Sequence, residues 1–307
     1  MNADLPLVIV NPTSGRGTSE QTWASVAGDV RTYLGPFECE FTREKGDGIR
    51  IAETEAKRGR KLIVAAGGDG TISEVANGIL SAGTDTELGI LPRGTGGDFR
   101  RTLGIPQNAA GALLRIRDGV SKRMDAGRIA HIGLDGKETS RFFINTASFG
   151  MSGKVASKAN LSSKRWGGTM TYFAATLKTI FSYDHPEIML SLDEQPGVRL
   201  KIVTVCLANG PSFGGGMKIS PDAKLNDGLL DVVIIGHMKT MSMMLNSHKL
   251  YTGSFLSLDK VKLVRAKKVS AKPVNGSAEI LLEVDGETPG KLPASFEVLP
   301  LAIKIRC

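Results

Sequence analysis

The run Gly67-Gly68-Asp69-Gly70-Thr71 directly follows the apolar stretch Leu62-Ile63-Val64-Ala65-Ala66. It directly precedes a segment in which Ile72, Val75, Ile79 and Leu80 recur at helical spacing. A strand, a glycine loop and a helix in that order let backbone N–H groups and a helix N-terminus meet a phosphate. Glycine removes the Cβ that would hold a large anion off the backbone. Asp69 puts a carboxylate where a phosphate belongs, so a divalent cation or a donor group must stand between the two anions. Two more loops of this kind follow apolar runs, Asn11–Gly17 and Gly94-Thr95-Gly96-Gly97-Asp98. The third ends in Asp98, where aspartate also serves well as a helix N-cap. Asp69 and Asp98 facing one pocket would suit metal or hydroxyl positioning. Two familiar phosphate motifs are excluded. Gly94–Phe99 lacks the third glycine of a dinucleotide fingerprint, and Gly150-Met151-Ser152-Gly153-Lys154-Val155 lacks the spacing and the Ser/Thr of a Walker A loop.

These loops need a scaffold that gathers strand ends. Leu7–Val10 reads as a first strand, Ser19–Leu34 as a helix buried through Trp23, Val26, Ala27 and Val30, and Phe37–Thr42 as a second strand. Gly48–Arg58 reads as a helix and Leu88–Leu91 as a strand, and a short helix follows through Phe99–Leu103. Alternating strands and helices imply a mainly parallel sheet covered on both faces, and right-handed crossovers bring the loops after the strands to one edge. From about Arg128 the pattern changes to short strands: Gly127–Ile132, Arg141–Ala147, Glu187–Leu192, Val198–Leu207, Leu230–Ile235, Lys260–Val264, Glu279–Val284 and Ala294–Val298. Turn pairs such as Asp135-Gly136, Asn226-Asp227-Gly228 and Asn275-Gly276 separate several of them. Helices are expected at Lys164–Phe181 and Lys239–Ser254, the second with Met241, Met244, Leu245 and Leu250 as a core stripe. The expected organisation is an α/β domain over 1–127, rejoined by 300–307, and an antiparallel β-rich domain over 128–299.

A chain of 307 residues, 41% hydrophobic and 23% charged, suits two globular domains with full cores. No apolar run reaches the ~18–20 residues of a membrane span, and Met1–Pro6 lacks the features of a signal peptide. Cys39, Cys206 and Cys307 are odd in number and far apart, which fits reduced thiols and a cytoplasmic address. The net charge of +8 favours a polyanionic partner. No nucleic-acid-binding module accompanies it. Lys154, Lys158, Lys164, Arg165 and Lys178 share a segment with Trp166, Tyr172, Phe173 and Phe181. That mixture suits an anionic membrane surface as well as a packed helix. A second basic run, from Lys260 to Lys272, reads as strand with a solvated face. An exposed strand edge in the β-rich domain would offer a homodimer contact.

Taken in order, Asn11-Pro12-Thr13-Ser14-Gly15, Gly67–Thr71 with Glu74, Gly94-Thr95 with Asp98, Asn145–Gly150, Leu225–Asp231 and Asp285-Gly286-Glu287 resemble the diacylglycerol kinase catalytic-domain family. That family includes sphingosine and ceramide kinases and bacterial soluble lipid kinases. The resemblance implies an N-terminal parallel-sheet nucleotide-binding domain, NAD kinase-like, and a C-terminal antiparallel β-sandwich domain. It also implies an ATP-dependent lipid kinase using Mg2+, working peripherally at a membrane that holds the lipid acceptor. Carried over by position, Asn11, Pro12, Thr13, Ser14, Gly15, Thr42, Gly67, Gly68, Asp69, Gly70, Thr71, Ile72, Ser73, Glu74 and Thr95 would line the ATP site. Asp69 and Asp98 would reach the phosphates and catalytic magnesium, and Asp285 or Glu287 would be the general base. A structural magnesium would lie at Asp227 with the carbonyls of Lys224 and Leu229. The chain departs from the family at Gly97, where Asn usually precedes the aspartate. That implies altered local hydrogen bonding, and it leaves a non-catalytic nucleotide- or lipid-binding homologue as one alternative. An NAD kinase-like enzyme is the other.

Overall fold

The structure is a computed structural model describing residues 3–13, 20–94, 97–161, 183–274 and 279–307. The chain divides into two compact units, Met1–Met124 with Leu301–Cys307, and Asp125–Pro300.

In the first unit, strands β1 (Leu7–Val10), β2 (Glu38–Phe41), β3 (Leu62–Gly67) and β4 (Glu87–Pro92) lie parallel in the order β2-β1-β3-β4. Lys304 and Ile305 then pair in parallel with Glu87 and Leu88. β1 and β3 are apolar and buried at every position. Continuous apolar runs of that kind belong to strands covered on both faces. Helices α1 (Glu20–Leu34) and α5 (Ala109–Asp118) pack together, as do α2 (Asp47–Lys57) and α3 (Asp69–Ala82). Each fully buried Ile or Leu side chain, such as Ile9, Ile63, Ile79 and Leu88, contributes about 1.5–3 kcal/mol of burial. A charged group also sits in this unit's interior. The Arg60 guanidinium has no exposed surface, bonds Glu55, meets Glu38 at 2.7 Å and donates to the Leu5 carbonyl at 2.8 Å.

The second unit is antiparallel. One run of strands follows the order β11 (Val261–Ala266), β10 (Leu230–Gly236), β9 (Val198–Ala208), β7 (Thr146–Gly150), β13 (Leu282–Val284). The other runs β9, β8 (Glu187–Leu192), β12 (Lys268–Pro273), β14 (Gly290–Arg306), β5 (Ser121–Gly133), β6 (Glu138–Phe143). Phe143, Phe149, Ile188, Ile202, Leu230, Leu282 and Phe296 interleave in a single core between them, with Phe149 stacked on Phe296 at 5.9 Å.

The parallel and antiparallel halves agree with the sequence reading, and the elements correct it in detail. The expected strand Arg141–Ala147 is two strands, β6 and β7, with Ile144 and Asn145 between them. Periodicity continued through a break because both flanks are apolar. Helices α5 and α6 (Met151–Leu161) had no counterpart in the reading, and the basic run from Lys260 to Lys272, read as strand, is two strands, β11 and β12. Lys239–Ser254 is not one helix but Thr240–Asn246, Lys249–Thr252 and a 3-10 turn at Ser254–Ser257. The break moves the core contact to Met243, leaving Met241 and Leu245 exposed, while Met244 and Leu250 still pack against the core. The expected helix at Lys164–Phe181 and the Asn275-Gly276 turn lie outside the described residues.

Candidate active site

In the first unit the loops after β1, β3 and β4 are stitched together by backbone hydrogen bonds. The Asn11 N–H donates to the Ala66 carbonyl at 3.1 Å, and the Arg93 N–H donates to the Gly67 carbonyl at 2.8 Å. A Cβ added at Gly94 would stand 2.6 Å from the Gly68 Cα. Backbone there meets backbone with no room for a side chain on Gly94, which accounts for glycine at that position. Helix α3 starts at Asp69, three residues earlier than the apolar spacing suggests, so Asp69-Gly70-Thr71 forms its first turn. N–H groups in the first turn of a helix have no intrahelical partner, and an anion is favoured there.

Asp69 is also a tie between loops. Its Oδ2 accepts the Gly97 N–H at 2.6 Å. Gly97 caps the five-residue helix α4 (Asp98–Thr102) with φ +74° and ψ +37°. Glycine and asparagine are the residues that visit this left-handed region most readily. The departure at Gly97 therefore keeps the backbone conformation and the donor that Asp69 uses. Asp98 is buried at the start of α4 and pairs with Arg101 at 2.5 Å. The cap is Gly97, not Asp98.

The remaining expected ATP-site residues divide by what they touch. Asn11 Oδ1 accepts both the N–H and the hydroxyl of Thr13, at 2.9 and 2.8 Å, folding Asn11-Pro12-Thr13 into a closed turn. Thr42 is buried and its N–H donates to the Val10 carbonyl at 2.9 Å. Gly67, Gly68, Gly70, Thr71 and Ser73 lie at the β3–α3 junction. Ile72 is buried with the core. Glu74 spends its carboxylate elsewhere: Oε1 takes the Gly46 N–H at 2.9 Å and Oε2 the Gly48 N–H at 3.0 Å, fastening α3 to the start of α2. That makes Glu74 a holder of the loop's helix. Ser14, Gly15 and Thr95 lie outside the described residues. Sequence reasoning passed over Arg93, whose guanidinium sits over the Trp23 ring at 5.7 Å and is lowered in pKa by burial. Its signal was a cation immediately after a buried strand.

In the second unit, Asp285 and Gly286 are the central residues of a two-residue hairpin turn, with φ of +47° and +87°. Val284 and Glu287 exchange backbone hydrogen bonds across it at 2.8 and 2.9 Å. Positive φ at both central positions is the signature of a type I′ turn. The Asp285 carboxylate leaves that turn and accepts the N–H groups of Ile144, Asn145 and Thr146 at 3.0, 3.1 and 3.0 Å. This is the reason β6 and β7 separate: three consecutive amides turn toward one carboxylate instead of a neighbouring strand. Burial pushes the Asp285 carboxyl up, and these amides together with Arg141 oppose the shift without cancelling it. Glu287 is half-buried on the rising side of the turn. Behind them, buried Glu283 accepts the Ser148 hydroxyl at 2.5 Å and the Gly286 N–H at 2.7 Å.

Asp125 and Asn209 are a second pair that the sequence reading missed, both 1% exposed. Asn209 donates to the carbonyls of Asp125 and Ile144 at 2.9 and 2.7 Å, and Asp125 accepts the Gly228 N–H at 2.7 Å. They couple the amide cluster at 144–146 to the Asn226-Asp227-Gly228 turn. Buried polar side chains on apolar strands were their signal. Asp227 itself is exposed and accepts the Leu229 N–H at 3.1 Å.

No group of three or more His, Cys, Asp or Glu side chains gathers as a metal cage among the described residues. Magnesium does not need one, since it keeps several waters and takes one or two carboxylates with substrate phosphates. Asp69 and Asp98, oxygen donors on adjoining loops, fit that chemistry. So does an Asp227 carboxylate with backbone carbonyls.

Glycine-bearing loops at the ends of parallel strands, and in the antiparallel unit a carboxylate turn held by three amides, are parts that phosphoryl transfer can use. Residues 6–129 match the diacylglycerol kinase catalytic domain, and residues 145–307 match the YegS C-terminal NAD kinase beta sandwich-like domain. The chain belongs to the diacylglycerol kinase catalytic-domain family, a family of lipid kinases. It is 30% identical over 306 residues to a diacylglycerol kinase of Staphylococcus haemolyticus, covering 97% of this chain and 86% of the relative. It is 30% identical over 293 residues to a diacylglycerol kinase of Bacillus subtilis, covering 94% and 91%. A crystal structure of a candidate diacylglycerol kinase from Bacillus anthracis superposes with a TM-score of 0.78 at 25% identity, over 99% of this chain and 96% of that one. No helix among the described residues is long and apolar enough to cross a membrane.

Proposed function

We propose that this chain is an ATP-dependent lipid kinase, transferring the γ-phosphate of ATP to the hydroxyl of a lipid of the diacylglycerol type with Mg2+. The observation that carries the reading is the Asp69–Gly97 tie, which sets a carboxylate at a helix N-terminus between two glycine loops whose backbones touch. Backbone amides of Gly68–Thr71 bind the phosphates, and Asp69 and Asp98 hold the magnesium. Bound there, Mg2+ would neutralise charge on the phosphates as the γ-phosphoryl group leaves. The lipid hydroxyl must lose a proton, and a base has to keep a lone pair for it. Asp285 gives its two oxygens to three amides, which makes it the anchor of the turn. Of the two carboxylates on this turn Glu287, half-buried beside it, is assigned as the base. Asp227, with the carbonyls of Lys224 and Leu229, would hold a structural magnesium at a turn already fixed by Asp125. The enzyme works from the cytoplasm on a lipid presented at an anionic membrane surface.

Mg-ATP with vesicles carrying diacylglycerol, ceramide, sphingosine or phosphatidylglycerol should yield one phosphorylated lipid. Turnover of NAD with none of any lipid would replace this reading with an NAD kinase. Nucleotide binding without any turnover would leave a non-catalytic homologue.

A further inference from the structure

The sequence holds four histidines, and two of them, 52 residues apart, meet. His185 lies just ahead of β8 and His237 just after β10, both in the second unit. Their ring centroids are 4.6 Å apart at 69°, edge to face, and the Nδ1 atoms point at one another within hydrogen-bonding reach. The backbone holds both in place. The His237 N–H donates to the Lys201 carbonyl, and the Ile202 N–H donates to the carbonyl of Pro186, each at 3.0 Å. His237 and Pro186, the residue after His185, are thus fastened to adjacent residues of β9. Neither ring belongs to the apolar core, since His185 is half-buried and His237 exposed.

Two Nδ1 atoms converging on one point have few stable arrangements. One proton can be shared between two neutral rings, or one cation can take both lone pairs. Two protonated rings would repel. Burial holds the His185 pKa down, His237 and Lys201 add to that, and Asp184 opposes it. The neutral ring so favoured is also the form that ligates a metal. Around the pair, the Tyr183 ring lies 6.1 Å from His185, and the Lys154 ammonium lies over Tyr183 at 5.7 Å. The donors that converge here are two imidazole nitrogens, whereas magnesium and calcium are held by oxygen. Imidazole nitrogens suit zinc, copper and nickel instead.

We propose that His185 and His237 form a two-imidazole site for a divalent transition-metal ion of the zinc class, with water in the remaining positions. Zinc–nitrogen bonds of about 2.0–2.1 Å would set the two nitrogens somewhat further apart than their present contact. Side-chain rotation supplies that change without moving β9. A bound ion would bridge the entry to β8 and the exit of β10, a link independent of the phosphoryl-transfer residues.

Zinc chloride titrated into the metal-free protein, followed by calorimetry, should show one equivalent bound. Affinity should fall at least about tenfold in His185→Gln and in His237→Gln, and remain unchanged in His248→Gln. Zinc should raise the melting temperature of the wild type and not of the first two variants. Should either variant fold poorly, imidazole proton resonances of the wild-type protein give the same answer, because zinc should shift two of the four histidines. Absence of binding, binding that survives both substitutions, or loss in His248→Gln would overturn the proposal.

Discussion

Asp69 and Asp285 solve similar problems in the two units with different outcomes. Each carboxylate reaches from a glycine-containing junction to backbone amides of another loop. Asp69 takes the Gly97 amide with Oδ2, whereas Asp285 takes the three amides from Ile144 to Thr146 with both oxygens. A carboxylate offers about four lone-pair sites, and Asp285 spends three of them on these amides. Proximity to a glycine motif therefore does not by itself say what a carboxylate does; the amides that the fold brings to it differ between the two units.

The largest test of that contrast is at the reacting groups. Asp69→Asn and Glu287→Gln should each lower kcat by about two to four orders of magnitude in a lipid-phosphorylation assay, with little change in the denaturation midpoint. Asparagine keeps an acceptor for the Gly97 N–H, so an equal loss of folding stability would turn Asp69 into a structural residue. Asp285→Ala should behave in the opposite way. It orphans three amides at about 1–3 kcal/mol for each buried group, so the protein should lose at least roughly 3 kcal/mol in urea denaturation, and activity with it. A stable Asp285→Ala protein with no turnover would make Asp285 the base.

Glu55 supplies a carboxylate with no chemistry to do. Burial alone would raise its pKa, but hydrogen bonds from Arg60 and Arg58 outweigh that and hold it below the ordinary value of 4.5. The unfolded chain therefore takes up this proton more readily. The stabilisation is complete above the ordinary value and is lost as pH falls through the lower folded value. Glu55→Gln should cost about 3 kcal/mol near neutral pH, leaving Arg60 underpaired, and should flatten the acid limb of a stability–pH curve. The smallest effect belongs to Gly97→Asn. It restores the residue usual in the family and should stay within about 1 kcal/mol and keep activity, while Gly97→Val, strained at φ +74°, should lose both.

Much of the first unit was legible because its signals are local. A buried parallel strand reads as an unbroken apolar run, and the glycines after β3 and β4 mark close backbone approach. The second unit was legible as strands but not in its joints. The break at Ile144-Asn145 depends on a carboxylate some 140 residues away, to which no local pattern points. Glu74 shows the same limit in the first unit. It falls within the loop motif, yet its partners are Gly46 and Gly48.

The sequence by itself determined the change from alternating strands and helices to short strands, the three glycine loops and the family, because propensity, periodicity and ordered motifs are properties of neighbours along the chain. Tertiary structure decided what these polar groups do: Asp69 a tie between loops, Asp285 an anchor, Glu74 and Glu55 fasteners, Asp125 and Asn209 a buried link. Those roles depend on which amides and guanidinium groups the fold delivers to each carboxylate, and such partners come from distant parts of the chain.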